Sequence, residues 1–209
     1  LFFLGWVFFK IAFSFKHRLW DGKNQFTLAF NTQPVLIACL KPQERSLTFM
    51  VIPQGTYIET IHGYGFYRTE AIFRLGELKK LGGELFQESL KNYLGLPIEA
   101  YISLPEKGIN ENELKNNSKE FILKILGNLW QKKGETNLTK WDLLKLWWLA
   151  KGIKNNKVDI ISLNQRDILQ EFELPDGSKA QKIDIQRLGS LINQSFVDTK
   201  VKEENLAIS

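Results

Sequence analysis

The chain has 209 residues, of which 44% are apolar and 24% are charged, and its formal net charge at pH 7 is +5. These values exclude a disordered polar tail, a collagen-like repeat and a polytopic membrane protein. The single cysteine, Cys39, excludes an internal disulfide framework and a cysteine-based zinc cluster. The positive charge is spread thinly and forms no basic stripe, so nucleic acid is not an expected partner.

The chain opens on an apolar stretch, residues 1–15, in which 12 side chains are apolar and six are phenylalanine. A membrane-spanning helix needs about 20 apolar residues. This stretch is shorter and contains Lys10, but its Phe and Trp content suits a membrane interface, and basic residues follow at 16–18. Because the first residue is not Met, we expect the outer end of a longer membrane anchor. A buried core element and a signal segment are the alternatives.

In the first half of the chain, short apolar runs predict strands and one periodic segment predicts a helix. The strands are expected over 26–30, 35–40, 47–52 and 98–104, and the second and third suit a hairpin or adjacent strands. The helix is expected over 83–94, ended by Gly95 in a left-handed C-cap. A strand–helix–strand order with buried strands predicts α/β layers.

The second half begins with a polar stretch, 105–120, which we interpret as a loop and an internal boundary. Ser118 is expected to cap a helix over 119–131. Thr139 and Asp142 form a capping-box pattern for a helix over 140–151. A strand over 158–163, a turn at 175–177 and a helix over 185–196 capped by Asp184 complete the chain.

Four of the six tryptophans lie at 130, 141, 147 and 148. Such a group is able to form a stacking platform for a base or a sugar. Trp141 and Trp148 share a helical face with Leu144, so we expect that face to be core and Trp147 to be exposed.

The residue pattern predicts no catalytic set, metal site or cofactor. The two histidines lack a second ligand at helical spacing, and Cys39 lies inside an apolar strand, where an inert thiol is expected. The one basic group of interest as a binding site is Arg68, Arg74 and Lys79, because guanidinium and ammonium groups suit phosphate oxygens. Glutamates are interleaved with them, so ordinary solvated charge is the alternative.

Several segments resemble the LytR-CpsA-Psr (LCP) family of cell-envelope proteins. The resemblance covers roughly 31–102 and 121–208 and rests on the order and spacing of modest motifs. The matching segments are Gln33–Pro42 (the family's Asp-Thr, apolar run and Asp-Pro), Val51–Tyr57 (Ser-Ile-Pro-Arg-Asp-Thr-Tyr), Arg68–Gly76 (Lys-Ile-Asn…Gly), Tyr93–Tyr101 (Leu-Gly-Ile-Pro-Ile-Asp-x-Tyr), Thr136–Leu144, Leu174–Ser178 and Asp184–Phe196.

The resemblance implies a single N-terminal span and an α/β domain outside the cytoplasm. It also implies chemistry on a polyprenyl-pyrophosphate carrier, from which active members transfer a glycopolymer to peptidoglycan. In those members, arginine side chains and a divalent cation held by aspartate neutralise the pyrophosphate.

The chain departs from the family where that chemistry would lie. Gln33 stands in place of the first-strand aspartate, and Gln54 and Gly55 stand in place of the Arg-Asp pair. A glutamine supplies neither the negative charge of a metal ligand nor the positive charge of a guanidinium. Only Arg68 lies at a position that resembles a basic family residue. We therefore expect a degenerate relative without transferase activity.

The predicted fold class is α/β, a layered α-β-α domain of LCP type with a central mixed sheet, preceded by the apolar segment. We expect an anchor remnant at 1–15, an N-terminal α/β half at 16–104, a polar linker at 105–120 in place of the family's middle region, and C-terminal helices and a strand at 121–209. The expected partners are a polyprenyl-(pyro)phosphate lipid, a cell-wall polymer or another envelope partner, and the cell membrane. The alternatives are a transferase that uses other residues, such as Arg68 and Arg74, and a plain structural or interaction module.

Overall fold

The structure is a computed structural model, and it describes residues 19–109, 111–165, 168–174 and 177–195. Within these ranges the chain forms ten strands and five α-helices. The strands are β1 (Phe26–Gln33), β2 (Val35–Lys41), β3 (Ser46–Ile52), β4 (Thr56–Thr60), β5 (Gly65–Arg68), β6 (Ala100–Gly108), β7 (Glu135–Thr136), β8 (Val158–Ser162), β9 (Leu169–Glu173) and β10 (Lys179–Ile183). The helices are α1 (Thr69–Leu78), α2 (Gly83–Leu94), α3 (Glu111–Trp130), α4 (Lys140–Gly152) and α5 (Ile185–Ser195).

A six-stranded mixed sheet forms the centre of the molecule, in the order β7-β6-β1-β2-β3-β8. Strands β1, β2 and β3 are antiparallel neighbours, whereas β6 runs parallel to β1 and β8 runs parallel to β3. The run from Val35 to Leu40 is buried along its whole length. Such a run is expected for a strand covered on both faces, because both alternating sets of side chains then need apolar surroundings.

Two apolar clusters, one on each face of the sheet, make this an α-β-α arrangement. One cluster joins the sheet to α3 and α4 through residues such as Phe30, Phe49 and Ile125. The other joins it to α1, α2 and α5 and to a smaller sheet of order β5-β4-β10-β9. The predicted fold class, a layered domain with a central mixed sheet, is therefore confirmed. The apolar stretch 1–15 lies outside the described residues.

The predicted helix ends are confirmed where local signals are strong. Helix α2 spans the predicted residues and ends at Gly95, whose φ of 65° is left-handed. The Thr139 hydroxyl accepts a hydrogen bond from the Asp142 amide, and the Asp142 carboxylate accepts one from the Thr139 amide, which completes the capping box. The Asp184 carboxylate accepts hydrogen bonds from the first turn of α5. Cys39 is buried, as expected.

The prediction of a loop over 105–120 is wrong. Strand β6 continues to Gly108, and α3 begins at Glu111 and bends at Asn117, whose φ and ψ are −131° and 35°. Ser118 follows the bend directly and does not act as the predicted cap, because its hydroxyl donates to the carbonyl oxygen of Leu114 one turn earlier. Leu114 is completely buried. Leu114 and Ile109 are the two aliphatic residues of this polar stretch, and two such residues give no helical period in the sequence.

The predicted core face of α4 is also wrong. The buried residues are Leu143, Leu146 and Ala150, whereas Trp148 is 67% exposed. Trp147, expected to be exposed, is partly buried. Both faces of this helix carry apolar residues at the same spacing, so periodicity alone selects neither. None of the helices in the described ranges combines the length and the apolar run that a bilayer crossing requires.

Candidate functional site

Four strands of the central sheet end at one edge, which we call the carboxyl edge. Strands β1, β3, β6 and β8 run in the same direction, and the residue pairing places Gln33 opposite Gly108, and Val51 opposite Ser162. The start of β2 pairs with the end of β3 at the same edge. In layered α/β folds, ligands bind in crevices outside the carboxyl ends of such strands.

Both departures from the family's motifs lie on the carboxyl edge. The main-chain carbonyl of Gln33 accepts a hydrogen bond from the amide of Ile109, at 3.0 Å, which joins the ends of β1 and β6. Gln54 and Gly55 form the turn after β3, where Gly55 has a φ of 82° and its amide donates to the Glu70 carboxylate at 3.1 Å. The edge therefore brings together the positions that sequence reasoning singled out.

The predicted binding residues Arg68 and Lys79 make separate contacts in the structure. Arg68 is the last residue of β5, and its Nε donates a hydrogen bond to the Tyr57 hydroxyl at 3.1 Å. That hydrogen bond raises the pKa of the Arg68 guanidinium, which stays charged. Arg74 is exposed on α1. The Lys79 ammonium lies 5.2 Å from the centre of the Tyr64 ring. Their role in binding remains a prediction.

A cavity of about 480 Å³ opens at the carboxyl edge, between the sheet and α3, and we call it the edge cavity. Thr32, Gly108 and Ile109 line its sheet side. Its remaining lining residues are Leu104 and Lys133 with the α3 residues Leu114, Asn117, Glu120, Phe121, Lys124, Ile125 and Asn128. Thr32 is held in place because its hydroxyl donates to the carbonyl of Pro34 at 2.7 Å.

The edge cavity combines charged groups with an apolar interior wall. Lys124, Lys133 and Glu120 supply two positive charges and one negative charge at its rim. Phe121 packs with Phe30 at a ring-centre distance of 6.4 Å. Ile125 also lines a narrow apolar gap of about 10 Å³, deeper between the sheet and the helices. This arrangement suits an amphiphile with an anionic headgroup.

Sequence reasoning missed the two lysines of the edge cavity. Lys124 is a single cation in an otherwise apolar part of α3, and Lys133 lies in the connection after that helix. Neither belongs to a basic cluster or motif, so only the folding of α3 against the carboxyl edge brings them together. In the part of the chain that the structure describes, no three His, Cys, Asp or Glu side chains converge in a way suited to a metal ion.

No protein-family model and no curated protein matches this sequence. Solved structures do match it. A Bacillus subtilis protein described as the transcriptional regulator yvhJ is 17% identical, with a TM-score of 0.57 over 82% of this chain and 95% of that chain.

Several structures of TagT, a Bacillus subtilis protein, also match. TagT bound to LIIa-WTA is 14% identical, with a TM-score of 0.57 over 83% of this chain and 90% of that one. The LytR-CPS2A-psr family protein YwtF (TagT), with bound octaprenyl pyrophosphate lipid, is 14% identical, with a TM-score of 0.55 over 83% of this chain and 89% of that one. At these identities the likeness establishes the fold.

Proposed function

Since this chain has the LytR-CpsA-Psr fold, we propose that it is a cell-envelope protein that binds a polyprenyl-(pyro)phosphate lipid, or a polymer carried on one, without transferring it. The proposal places the headgroup in the edge cavity, against Lys124 and Lys133. It places the protein at the cell membrane, anchored through residues 1–15, with the folded domain outside the cytoplasm.

The observation that carries the proposal is the amphiphilic character of the edge cavity. Ammonium groups form charge-assisted hydrogen bonds with phosphate oxygens, and these are stronger than bonds between neutral groups. The wall formed by Phe121 and Ile125 suits the first isoprene units of a tail, and about 480 Å³ is within the usual range for a small-ligand site. TagT, which shares the fold, has been observed with octaprenyl pyrophosphate lipid bound.

The remainder of a polyprenyl tail requires more room than the described structure contains. The apolar gap beyond Ile125 measures about 10 Å³ and is bounded by α3, α4 and the sheet. On this proposal, the distal tail either remains in the bilayer or enters as α3 moves away from the sheet. Binding would then protect α3 amides from hydrogen exchange if the helix closes over the tail.

The absence of transfer is proposed from the residues at the carboxyl edge. Phosphoryl transfer needs groups that neutralise charge as it develops on the phosphate, and removing one such donor costs about 10²- to 10³-fold in rate. Gln33, Gln54 and Gly55 replace the charged residues that the resemblance assigns to these positions. The Glu70 carboxylate, beside the turn that contains Gln54 and Gly55, accepts a hydrogen bond from the Gly55 amide.

The test is equilibrium binding of octaprenyl pyrophosphate to the full chain in detergent micelles, with octaprenol as the ligand that lacks phosphate. We expect the pyrophosphate to bind at least about tenfold more tightly than octaprenol, which corresponds to about 1.4 kcal/mol. The double variant Lys124→Gln/Lys133→Gln should remove that preference. Lys132→Gln is the matched control, because Lys132 is exposed and does not line the cavity.

Two outcomes would contradict parts of the proposal. Equal affinity of both ligands, or an unchanged preference in the double variant, would exclude the edge cavity as the headgroup site. Metal-dependent release of a lipid-linked polymer by the full chain would exclude the inactive assignment. Loss of that turnover in Arg68→Ala/Arg74→Ala would identify the alternative, a transferase that uses those arginines.

A further inference from the structure

Helix α4 carries two apolar stripes, and only one of them faces the core. The inner stripe is Leu143, Leu146 and Ala150, all buried. The outer stripe, Trp141, Leu144 and Trp148, repeats the spacing of the inner one, and Trp148 is 67% exposed. A helix on the surface of a soluble domain usually has polar residues on its outward face. A second apolar stripe therefore indicates that another surface covers it.

The outer stripe is part of a wider aromatic surface. Leu144 lines two neighbouring open grooves. One, of about 280 Å³, lies between α3 and α4 and includes Trp147 and Trp130, which is 55% exposed. The other, of about 890 Å³, lies between α4, the segment after Leu19 and the β2–β3 turn, and it includes Trp141 and Trp148. We call the surface formed by Trp130, Trp141, Trp147 and Trp148 the tryptophan face.

Cationic side chains border the tryptophan face. Four of them, Lys23, Arg45, Lys145 and Lys151, line the larger groove. The Lys151 ammonium lies 3.7 Å from the centre of the Trp147 ring.

The carboxylate of Asp21 is the single acidic group in that lining. It is engaged by its own loop, where it accepts the Lys23 and Asn24 amides at 2.8 and 3.0 Å. These bonds hold its pKa below the usual value, so it stays charged. The groove therefore presents four positive charges and one negative charge.

The path of the chain also points towards this face. The amides of Leu19 and Trp20 both donate to the Asp142 carboxylate of α4, each at 3.2 Å. The described chain therefore begins beside the tryptophan face, because Trp20 lines the larger groove. Residues 1–18, apolar and then basic, precede it in the sequence. Tryptophan favours the membrane–water interface, and lysine and arginine are attracted to anionic headgroups.

We propose that the tryptophan face and its four cationic side chains dock on the surface of a bilayer that contains anionic phospholipid. Docking would fix the orientation of the folded domain relative to the membrane. It does not depend on binding of a polyprenyl lipid in the edge cavity. It rests only on the proposed location of the chain at the membrane, so the test uses vesicles without polyprenyl lipid, and loss of lipid binding in the edge cavity would leave it standing.

Three glycines allow a test with little disturbance of the structure. A Cβ at Gly152, beside the larger groove, or at Gly127, beside the smaller one, would meet no atom within 4 Å. A Cβ at Gly189 would also meet no atom within 4 Å, and this glycine lies on α5, on the opposite face of the central sheet from α3 and α4. Because Cys39 is 1% exposed, a thiol-reactive fluorophore will label the introduced cysteine. Gly189→Cys is the matched control for Gly152→Cys and Gly127→Cys.

Each labelled full chain is reconstituted into phosphatidylcholine vesicles with and without phosphatidylglycerol, using lipids brominated on the acyl chains as quenchers. With phosphatidylglycerol present, we expect quenching at positions 152 and 127 to be at least about threefold stronger than at 189. Lys23→Gln/Lys151→Gln, added to Gly152→Cys, should reduce quenching about twofold, and high salt should act in the same direction.

Equal quenching at 152 and 189 in both lipid mixtures would overturn the proposal. If quenching at position 152 changed neither with phosphatidylglycerol nor with Lys23→Gln/Lys151→Gln, the proposed role of the cationic side chains would be wrong. A label that responds to soluble peptidoglycan fragments, but not to brominated lipid, would instead identify a carbohydrate platform. The Gly127→Cys label keeps the test valid if Gly152→Cys fails to fold.

Discussion

Asp142 connects the beginning of the described chain to α4, and its removal should be among the most damaging single changes. Its side chain is fully buried. The carboxylate accepts hydrogen bonds from the amides of Leu19, Trp20 and Thr139, at 3.2, 3.2 and 3.0 Å, and from the Thr139 hydroxyl at 2.6 Å. Asp142→Ala leaves all four donors without this acceptor.

The expected loss can be worked from these four bonds. Loss of a helix cap costs about 1 kcal/mol, and hydrogen bonds to a charged group contribute about 1.5 to 3 kcal/mol each. These bonds share one carboxylate and are not additive, so we expect a loss of about 3 to 5 kcal/mol in the free energy of unfolding. Asp142→Asn should lose less, because its amide retains one oxygen acceptor.

The measurement is guanidinium unfolding of the full chain in detergent, together with hydrogen exchange at the Leu19 and Trp20 amides. Asp159→Asn, an exposed change on β8, is the control and should alter the free energy of unfolding by less than about 0.5 kcal/mol. A loss below about 1 kcal/mol for Asp142→Ala, with protected Leu19 and Trp20 amides, would refute this account of the connection.

Three further predictions concern a half-buried carboxyl, a packed glycine and the charge of the edge cavity. Burial raises the pKa of Glu99 to about 7 from its usual value near 4.5, although the Thr27 amide donates to it at 2.6 Å. Between these two pH values the folded state keeps the proton that the unfolded state loses, so the free energy of unfolding should fall as pH rises from about 4.5 to 7 and then level off. Glu99→Gln should flatten this pH dependence when the free energy of unfolding is measured across the same range. Gly83→Ala should lower the free energy of unfolding by about 1 to 3 kcal/mol, because the new Cβ would lie 2.2 Å from the Tyr101 ring. Gly127→Ala in α3 is the control and should be neutral or stabilising, because its Cβ would meet open space. Equal melting temperatures of the two variants would contradict the close packing of Gly83 against Tyr101. Glu120→Gln should tighten octaprenyl pyrophosphate binding about threefold by removing the negative charge at the rim, and weaker binding would contradict the headgroup's location.

Local signals in the sequence predicted those elements whose ends are set by neighbouring residues. Helix α2 has a left-handed glycine at its end, and α4 has a reciprocal cap at its start. Each of these signals acts within one helical turn, so the sequence carries it without knowledge of the tertiary fold. The buried strands β2 and β3 were equally clear, because a strand covered on both faces is apolar throughout.

The misjudged elements depend on distant partners. In the first turns of α3, Leu114 is buried against a sheet whose strands come from other parts of the chain. The two faces of α4 are equally apolar, and packing against α3 and the sheet decides which one is buried. Strands β4, β5, β9 and β10 are only four or five residues long, which is too short for an apolar period to identify them in the sequence.

The candidate site was predictable in part. The resemblance directed attention to Gln33, Gln54 and Gly55, and the strand register places all three at the carboxyl edge. The lysines of the edge cavity were not predictable, because Lys124 and Lys133 resemble ordinary surface charge until α3 is folded against the sheet.

The most direct test of the central claim is a structure of the full chain with octaprenyl pyrophosphate bound. The account predicts phosphate oxygens within hydrogen-bonding distance of the Lys124 and Lys133 ammonium groups, and the first isoprene units against Phe121 and Ile125. A headgroup bound beside Arg68 and Arg74 instead, with an empty edge cavity, would contradict the account.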